Sequence, residues 1–487
     1  MSNLEASPSS EGVGAQQLSP STSDRTGLRP GHLGAGAIIF FVVAAVAPMA
    51  ALVGASPIVF SAQGPTAPFV YLLAALLFAV FSIGYVAMSR HVTNAGGFVA
   101  YIAQGLGTRA ATAGAALAIL FYGTLQSALW SQFSVFAQSL VADMAGVTLP
   151  PWVIMFIALA AVTGLVMLGV DLSLKVLGIL VALEIAAFVV LDAAIIFGGG
   201  GVSGNSLTAF TPSDLVGPGL GVAFLFAFSC FTGFEATVVF SEEAKDPRRT
   251  IPRAVYGSIA FIGGFYALTT WALGNAAGNE SVQAAATADP AGFVFAITEK
   301  EVGSWLSTTM EVLVVTSFIA MLIGFQNMFA RYVYALGRAH VLPARLGTAS
   351  PKGTPTIAAL CVGALLALVL AAFQLAGADP IAVTFSWLLS LGTVALIAIL
   401  ILTSVAVMTF FARTKLEKSP LVTVIGPGLS IAGFGYVAYL AITNYDVLLG
   451  GQGGIAKWLL VLIPVFAVAG YAWAVIRPGV DYQAALV

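Results

Sequence analysis

The chain has 487 residues, of which 59% are hydrophobic and only 8% are charged. About a quarter of the residues of a soluble domain are charged, so this composition excludes a water-soluble globular protein. The formal net charge is −2 and the basic residues are scattered, which excludes a surface that binds nucleic acid. The composition therefore predicts an integral membrane protein, with the lipid bilayer as its surroundings.

The chain is predicted to begin with a cytoplasmic tail, residues 1–31, which is rich in Ser, Pro and Gly and has no apolar run. This tail is typical of a disordered segment rather than a signal peptide. After it, twelve stretches have the roughly 20 apolar residues that a membrane-spanning helix needs. They are residues 33–60, 68–89, 110–141, 151–170, 172–197, 219–240, 254–276, 305–336, 355–373, 383–411, 421–443 and 457–476. The predicted fold is an all-α polytopic bundle of twelve transmembrane helices.

The basic residues predict the orientation of these spans, because Lys and Arg near span ends are retained on the cytoplasmic side. With the N-terminus inside, all but two of the 19 basic residues fall on the cytoplasmic face. The exceptions are Lys300 and Lys457. We therefore expect a multi-pass protein of the plasma membrane with both termini in the cytoplasm, ending in a C-terminal tail at residues 477–487.

Two of the predicted spans carry helix-breaking residues in their middles. The first contains Pro48, Gly54 and Pro57, and the sixth contains Thr232 and Gly233 within a run of aromatic residues. A separation of five spans fits two inverted repeats, residues 32–200 and 217–412, each opening with an interrupted helix. In such transporters the exposed half-helix ends bind the substrate and the coupling ion. The alternative is that these residues merely kink packed helices.

Four acidic residues fall within the spans, where ionisable groups are costly and are candidates for function. Glu184 is flanked by apolar residues, an environment that favours the neutral carboxyl and suits a proton carrier. The alternative is a carboxylate that only hydrogen-bonds neighbouring helices. Asp192 and Glu311 lie nearer the outer surface, where we expect them to be hydrated. Glu235 follows the second break, where we expect a structural role.

Polar residues on the third span, Tyr122, Gln126 and Gln132, include an i, i+4 pair that could face a central cavity. The alternative is that they hydrogen-bond between helices. The three histidines are His32, His91 and His340. Because they lie apart in cytoplasmic flanks, we expect no metal site, no cofactor and no catalytic group.

Several motifs together resemble the amino acid–polyamine–organocation (APC) superfamily of secondary transporters. Residues 226–254, FAFSCFTGFEATVVFSEEAKDPRRTIPRA, are similar to the sixth helix and the following loop of that family. Residues 90–107, RHVTNAGGFVAYIAQGLG, resemble the entry to its third helix. Residues 327–343, NMFARYVYALGRAHVLP, and the later GTP at 353–355 resemble its eighth helix and the exit from it.

The resemblance implies a LeuT-type core of five plus five helices in inverted repeats, with two peripheral helices in residues 421–476. In the family, backbone amides of helix one bind the substrate carboxylate, and carbonyls of helices one and six bind the amine. The usual Gly-x-Gly break of helix one aligns with Ala50, Ala51 and Leu52, none of which is glycine, and we expect the backbone to unwind beside Pro48 instead. The substrate-binding residues expected are Ala47, Met49, Ala50, Ala51, Tyr122, Gln126, Phe228, Ser229, Phe231 and Thr232.

The resemblance also bears on substrate size and on coupling. Ser229 stands where some relatives carry a bulky aromatic gate, which leaves room for a larger substrate unless Phe228 or Phe231 fills it. Glu184 stands where several relatives carry a lysine that acts in place of sodium. Thr316 and Ser317 come early in the eighth helix, so a second sodium site is less favoured than protonation of Glu184.

The function predicted is a secondary active transporter, a permease for amino acids or related amines that works by alternating access as a proton symporter. One alternative is an exchanger that swaps an amino acid for its amine product. From other classes, a membrane ligand sensor or a membrane enzyme is less favoured. An enzyme needs convergent catalytic groups, and the sequence displays no such cluster.

Overall fold

A computed structural model describes residues 34–92, 97–169, 174–234, 237, 244–351, 353–445 and 457–477. These residues form helices and turns, without a β-strand among them. In the first half the helices are α1 Ala35–Val46, α2 Pro48–Gln63, α3 Ala67–Ser89, α4 Gly97–Leu106, α5 Thr108–Ala145, α6 Pro151–Met167 and α7 Leu174–Phe197. In the second half they are α8 Leu220–Ser229, α9 Pro247–Ala277, α10 Val282–Ala288, α11 Phe293–Glu301, α12 Ser304–Arg338, α13 Thr356–Leu375, α14 Ser386–Thr414, α15 Gly426–Thr443 and α16 Leu462–Ile476.

The described helices confirm an all-helical, polytopic membrane protein. Within the described ranges, 9 helical segments are long and apolar enough to cross a bilayer. Four shorter apolar helices, α1, α4, α6 and α8, accompany them. The exact number of crossings and the inverted repeat stay predictions. The N-terminal tail, Glu235 and all but the first residue of the C-terminal tail lie outside the described residues.

The first predicted span is interrupted at Ala47, which separates α1 from α2. Ala47 adopts a left-handed backbone conformation with φ 52° and ψ 76°. The following residue, Pro48, disfavours right-handed helical geometry at its predecessor and starts a new helix readily, because it has no N–H to satisfy. The break therefore lies beside Pro48, where the sequence allows the backbone to unwind. Ala50, Ala51 and Leu52, with which the break of the family aligns, lie inside α2, which also contains Pro57.

The sixth predicted span is interrupted as well. Helix α8 ends at Ser229, and residues 230–234 form a series of turns. Gly233 has φ 109°, which residues with a Cβ rarely adopt. Here the interruption lies where the sequence predicts it.

Helix α14 is preceded by a wider, π-helical turn, Pro380–Phe385. The Asp379 side chain caps this turn, since its Oδ1 accepts from the backbone N–H groups of Ile381 and Ala382 at 2.9 and 2.6 Å. The Ser131 hydroxyl of α5 donates to the Pro380 carbonyl at 2.8 Å. These contacts hold the start of α14 against α5, and they place Phe385 beside the centre of the bundle.

The centre of the bundle is formed by the broken helices and their neighbours. Helix α2 packs along α8, and α5 packs against both α12 and α14. Helix α7 packs against both helices of the first break, α1 and α2, and also contacts α9 and α12. Helix α16, by contrast, leaves most of its apolar surface uncovered, as expected of a helix that faces lipid.

Candidate substrate site

A cavity of about 40 Å³ lies between the two helix breaks. Helices α1, α2, α5, α8, α12 and α14 contribute to its wall, together with the turns after α8 and before α14. The lining residues are Val46, Ala50, Ala51, Ala55, Leu125, Leu129, Gln132, Ser229, Cys230, Thr232, Met321, Phe325, Phe385 and Leu389. Of these described residues none carries a charge, and most are aliphatic or aromatic.

The polar atoms of the cavity come mainly from the second break. Ser229 Oγ donates to the Phe226 carbonyl at 2.7 Å, and Cys230 Sγ contacts the same carbonyl at 3.3 Å. Thr232 is only 5% exposed, and its hydroxyl has no hydrogen-bond partner among the described residues. Because a buried hydroxyl without a partner costs free energy, Thr232 is the lining group best placed to bind a polar atom of a ligand.

Gln132 closes one side of the cavity. Its Nε2 donates to the Gly54 carbonyl of α2 at 2.8 Å, which joins α5 to α2. Gly54 allows this approach, since a Cβ at that position would lie 2.6 Å from Gln132 Oε1. The amide oxygen of Gln132 therefore lies directly against the α2 backbone.

The predicted binding residues fall into two groups. Ala50, Ala51, Ser229 and Thr232 line the cavity. The others lie outside the lining: Ala47, Met49, Tyr122, Gln126, Phe228 and Phe231.

The two phenylalanines pack away from the cavity, around Phe78 of α3. The Phe78 ring stacks on Phe231 with ring centroids 5.1 Å apart, and it meets Phe228 edge-on at 5.3 Å. Such aromatic pairs are favourable beyond the area that they bury. Because neither ring fills the space beside Ser229, that space stays open to a ligand.

The two polar residues of α5 also lie outside the cavity lining. Tyr122 packs against the rings of Phe329 and Tyr332 on α12, with centroids about 6 Å apart. Gln126 is completely buried, and both polar atoms of its side chain lack a hydrogen-bond partner among the described residues. From this helix, Leu125, Leu129 and Gln132 line the cavity instead.

Glu184 contacts the start of α2 at the first break and is not among the residues that line the cavity. Its carboxyl is buried, with 2% of the residue exposed, and its Oε2 accepts from the backbone N–H of Met49 at 3.0 Å. Met49 is the second residue of α2, and its N–H is one of the amides that a helix leaves without an internal partner at its N-terminus. A carboxylate at this position is stabilised by the positive end of the helix dipole.

Asp192 is a second buried acid on α7, eight residues after Glu184. It is only 4% exposed, so the expectation that it is hydrated near the outer surface is wrong. Its Oδ2 accepts from the Thr269 hydroxyl of α9 at 2.7 Å, whereas its Oδ1 has no partner among the described residues. Glu311 on α12 is half-buried.

Several lining residues have no feature in the sequence that marks them as part of a binding site. Met321, Phe325 and Leu389 are ordinary apolar residues of long helices, and Phe385 belongs to a turn whose π geometry does not follow the usual helical period. The lining residues of α5 do follow a pattern, since Leu125, Leu129 and Gln132 recur at the spacing of one helix face.

Comparison with known proteins adds independent findings. Residues 33–469 match the family model described as amino acid permease. The Branched-chain amino acid permease BcaP of Lactococcus lactis subsp. cremoris (strain MG1363) is 28% identical over 339 residues, covering 64% of this chain and 69% of that protein. Cationic amino acid transporter 7, chloroplastic, of Arabidopsis thaliana is 24% identical over 332 residues, covering 63% of this chain and 54% of that protein.

Proposed function

Because the chain belongs to the family of amino acid permeases, we propose that it transports amino acids with neutral, apolar side chains across the membrane by alternating access. The observation that carries this proposal is the uncharged, largely apolar cavity between the two helix breaks. A ligand cavity with few polar groups binds apolar surface and uses those groups to orient the ligand. The family also points to a transporter rather than an enzyme.

The cavity distinguishes between the substrates named for the two relatives. One relative is named for branched-chain amino acids and the other for cationic ones. A cationic side chain would need a carboxylate in the wall, since an unpaired charge in an apolar site is strongly disfavoured. The described lining instead offers Ala50, Ala55 and Leu129, which favours an aliphatic side chain.

The proposed architecture is a LeuT-type core of two five-helix inverted repeats, with the last two helices at its periphery. It is supported by the interruptions at Ala47 and after Ser229, since residues next to both interruptions line the same cavity. Broken helices of this kind supply backbone groups to substrate and ion sites in secondary transporters. The distribution of basic residues supports cytoplasmic termini in a plasma-membrane protein.

Coupling to protons is proposed at Glu184, through its bond to Met49. An ionised carboxylate accepts a charge-assisted hydrogen bond, which is stronger than the bond to a neutral carboxyl by about 1 kcal/mol. Protonation of Glu184 would therefore loosen α7 from the N-terminus of α2 and allow the first break to move. A change of about 1 kcal/mol shifts the ratio of two conformations roughly fivefold.

Uptake by purified protein in proteoliposomes tests the substrate and the mode of transport. We expect labelled leucine to accumulate when the outside is more acidic than the lumen, and arginine to remain outside. If arginine is carried and leucine is not, the assignment of substrate is wrong. If leucine enters only when the lumen is preloaded with amino acid or amine, the protein is an exchanger and not a symporter.

The variant Glu184→Gln tests the coupling site. Glutamine keeps an oxygen that accepts from Met49 N–H but cannot take up a proton in this pH range. We expect accumulation driven by the pH gradient to be lost while counterflow of leucine is retained. Glu311→Gln, at the half-buried acid on α12, is the matched control and should behave as the unmodified protein does. Undiminished accumulation by Glu184→Gln would remove Glu184 from the coupling mechanism.

A further inference from the structure

One buried ring of α3, that of Phe78, contacts the chain before, within and at the end of the second break, residues 230–234. Phe228 lies in α8, before the break, and its ring centroid is 5.3 Å from that of Phe78. Phe231 stacks on Phe78 from within the break at 5.1 Å, and Phe234 meets it edge-on at 5.0 Å. Phe78 is completely buried and is not among the residues that line the cavity.

The backbone of the break is wound in turns of three residues. The N–H groups of residues 230, 231 and 232 each donate to the carbonyl three residues earlier, at 3.2, 3.0 and 3.1 Å. In this 3₁₀ winding, residues three apart lie above one another on the same side. Phe228 and Phe231 therefore share the side that faces α3, whereas Ser229 and Thr232 share the side that lines the cavity.

The contact with Phe78 and the position of Thr232 both depend on this winding. A 3₁₀ turn rotates each residue by about 120°, and an α-helical turn rotates it by about 100°. If α8 continued as an α-helix, Phe231 and Thr232 would each be turned by about 60° relative to the residue three positions earlier. That rotation would carry the Phe231 ring off Phe78. It would also carry the Thr232 hydroxyl, which has no partner among the described residues, away from its place in the cavity wall.

The end of the break is fixed to α3 as well. Gly233 has φ 109°, a conformation that changes the direction of the chain, and the next residue, Phe234, is only 1% exposed. Besides Phe78, the Phe234 ring has Phe81 and Tyr85 of α3 as neighbours, with centroids 6.1 and 6.2 Å away. Because such ring pairs are favourable beyond the area that they bury, together they oppose a rotation of the break.

The first broken helix packs against a different side of the second break. A Cβ on Gly233 would lie 3.6 Å from the Val46 side chain of α1. Cys230 Sγ lies 3.9 Å from the Ala51 carbonyl of α2. The second break is therefore packed on one side by the first broken helix and on another by the rings of α3. Its remaining side, with Ser229 and Thr232, lines the cavity.

From this arrangement we propose that Phe78 is a positioning residue for the substrate. Through its contacts with Phe228, Phe231 and Phe234 it holds the second break in three-residue turns. This winding keeps the Thr232 hydroxyl in the cavity wall, where it hydrogen-bonds a polar atom of the substrate. Phe78 itself does not touch the substrate. The proposal rests on the proposed function, since it takes the cavity between the two breaks as the substrate site.

Phe78→Leu tests this role, because it keeps an apolar side chain but removes the ring. We expect the KM for labelled leucine in proteoliposome counterflow to rise about fivefold, the factor that corresponds to the loss of one hydrogen bond, while kcat stays within about twofold. Thr232→Val, which removes the hydroxyl itself, should raise KM by a similar factor. In the double variant Phe78→Leu/Thr232→Val the KM should rise no further, because Phe78 acts through Thr232.

Phe231→Leu changes the same contact from the side of the break. We expect the same pattern from it, and it takes the place of Phe78→Leu if that variant does not fold. Phe188→Leu is the control, since Phe188 of α7 is equally buried and packs edge-on against Phe265 at 6.2 Å. This control removes a buried ring from a different interface and should change the KM by less than about twofold.

Hydrogen exchange of the protein without substrate gives a second readout. The N–H groups of residues 230–232 are held by the three-residue turns. Phe78→Leu should therefore speed the exchange of these amides about tenfold, because their local opening becomes easier. Phe188→Leu should leave their exchange unchanged. This measurement does not depend on which amino acid the protein carries.

A raised KM with a normal kcat, no further rise in the double variant, and faster exchange at residues 230–232 support the positioning role of Phe78. An unchanged KM, with or without a fall in kcat, overturns it, and so does an additive double variant or unchanged exchange. If the unmodified protein carries no leucine, the proposed substrate is wrong. The exchange at residues 230–232 then decides by itself whether Phe78 holds the second break.

Discussion

Gln132 occupies the space that a side chain on Gly54 would need. The two residues are joined by the 2.8 Å bond from Gln132 Nε2 to the Gly54 carbonyl, and a Cβ on Gly54 would fall 2.6 Å from Gln132 Oε1. Since Gln132 also lines the cavity, the width of the cavity and the contact between α2 and α5 depend on the same side chain.

Gly54→Ala should therefore impair transport through Gln132. The new methyl group would displace the amide, break its bond to α2 at a cost of about 1 kcal/mol, and push the side chain into the cavity. We expect a raised KM for leucine. The double variant Gly54→Ala/Gln132→Ala should recover part of the loss, because contacting residues are coupled by about 0.5–3 kcal/mol. Gly324→Ala is the control, since a Cβ there meets nothing within 4 Å. Additive effects in the double variant would contradict the prediction.

The position of the first helix break can be tested by glycine substitution. Ala47 has positive φ, which costs a residue with a Cβ about 1–2 kcal/mol, so Ala47→Gly should leave the thermal stability in detergent unchanged or raise it. Ala50 lies within α2, where glycine costs about 1 kcal/mol relative to alanine. Ala50→Gly should accordingly lower the unfolding temperature. Equal shifts for the two variants would place the break elsewhere.

Substrate size should depend on the small residues of the cavity wall. Ala55→Leu adds three carbons to a cavity of about 40 Å³. We expect this variant to raise the KM for leucine more than the KM for alanine, because the larger side chain competes with the added carbons for the same volume. Ala160→Leu, on the exposed side of α6, makes the same change away from the site and should alter neither KM. An equal rise in KM for leucine and for alanine would argue against a cavity that selects by size.

Much of the helical architecture follows from the sequence. Backbone N–H and C=O groups that lack hydrogen bonds are costly in lipid, so a long apolar segment forms a helix, which satisfies these groups internally. The break at Ala47 is a local effect of Pro48 and can be derived from that residue alone. Aligning the chain with the Gly-x-Gly break of the family instead places the break at Ala50, three residues later. Ala50 and Ala51 lie within α2, where they continue the helix.

The site was less predictable for a physical reason. Which face of a uniformly apolar helix points inward is determined by its neighbours, and a helix that is apolar on all sides has no dominant face. Phe228 and Phe231 are drawn to the aromatic cluster around Phe78, a contact between distant parts of the chain. The sequence likewise predicts that Asp192 is hydrated near the end of its helix. In the fold, Thr269 of α9 packs against this carboxyl and hydrogen-bonds it.

The location of Cys230 gives this protein a natural site for chemical labelling inside the cavity. The chain has two cysteines, and Cys230 lines the cavity whereas Cys361 is exposed on α13. A small polar thiol reagent that follows the route of the substrate meets Cys230, and a bound substrate shields it. Replacing Cys361 alone would leave a single thiol that reports, from either side of the membrane, when the space between the two broken helices is open.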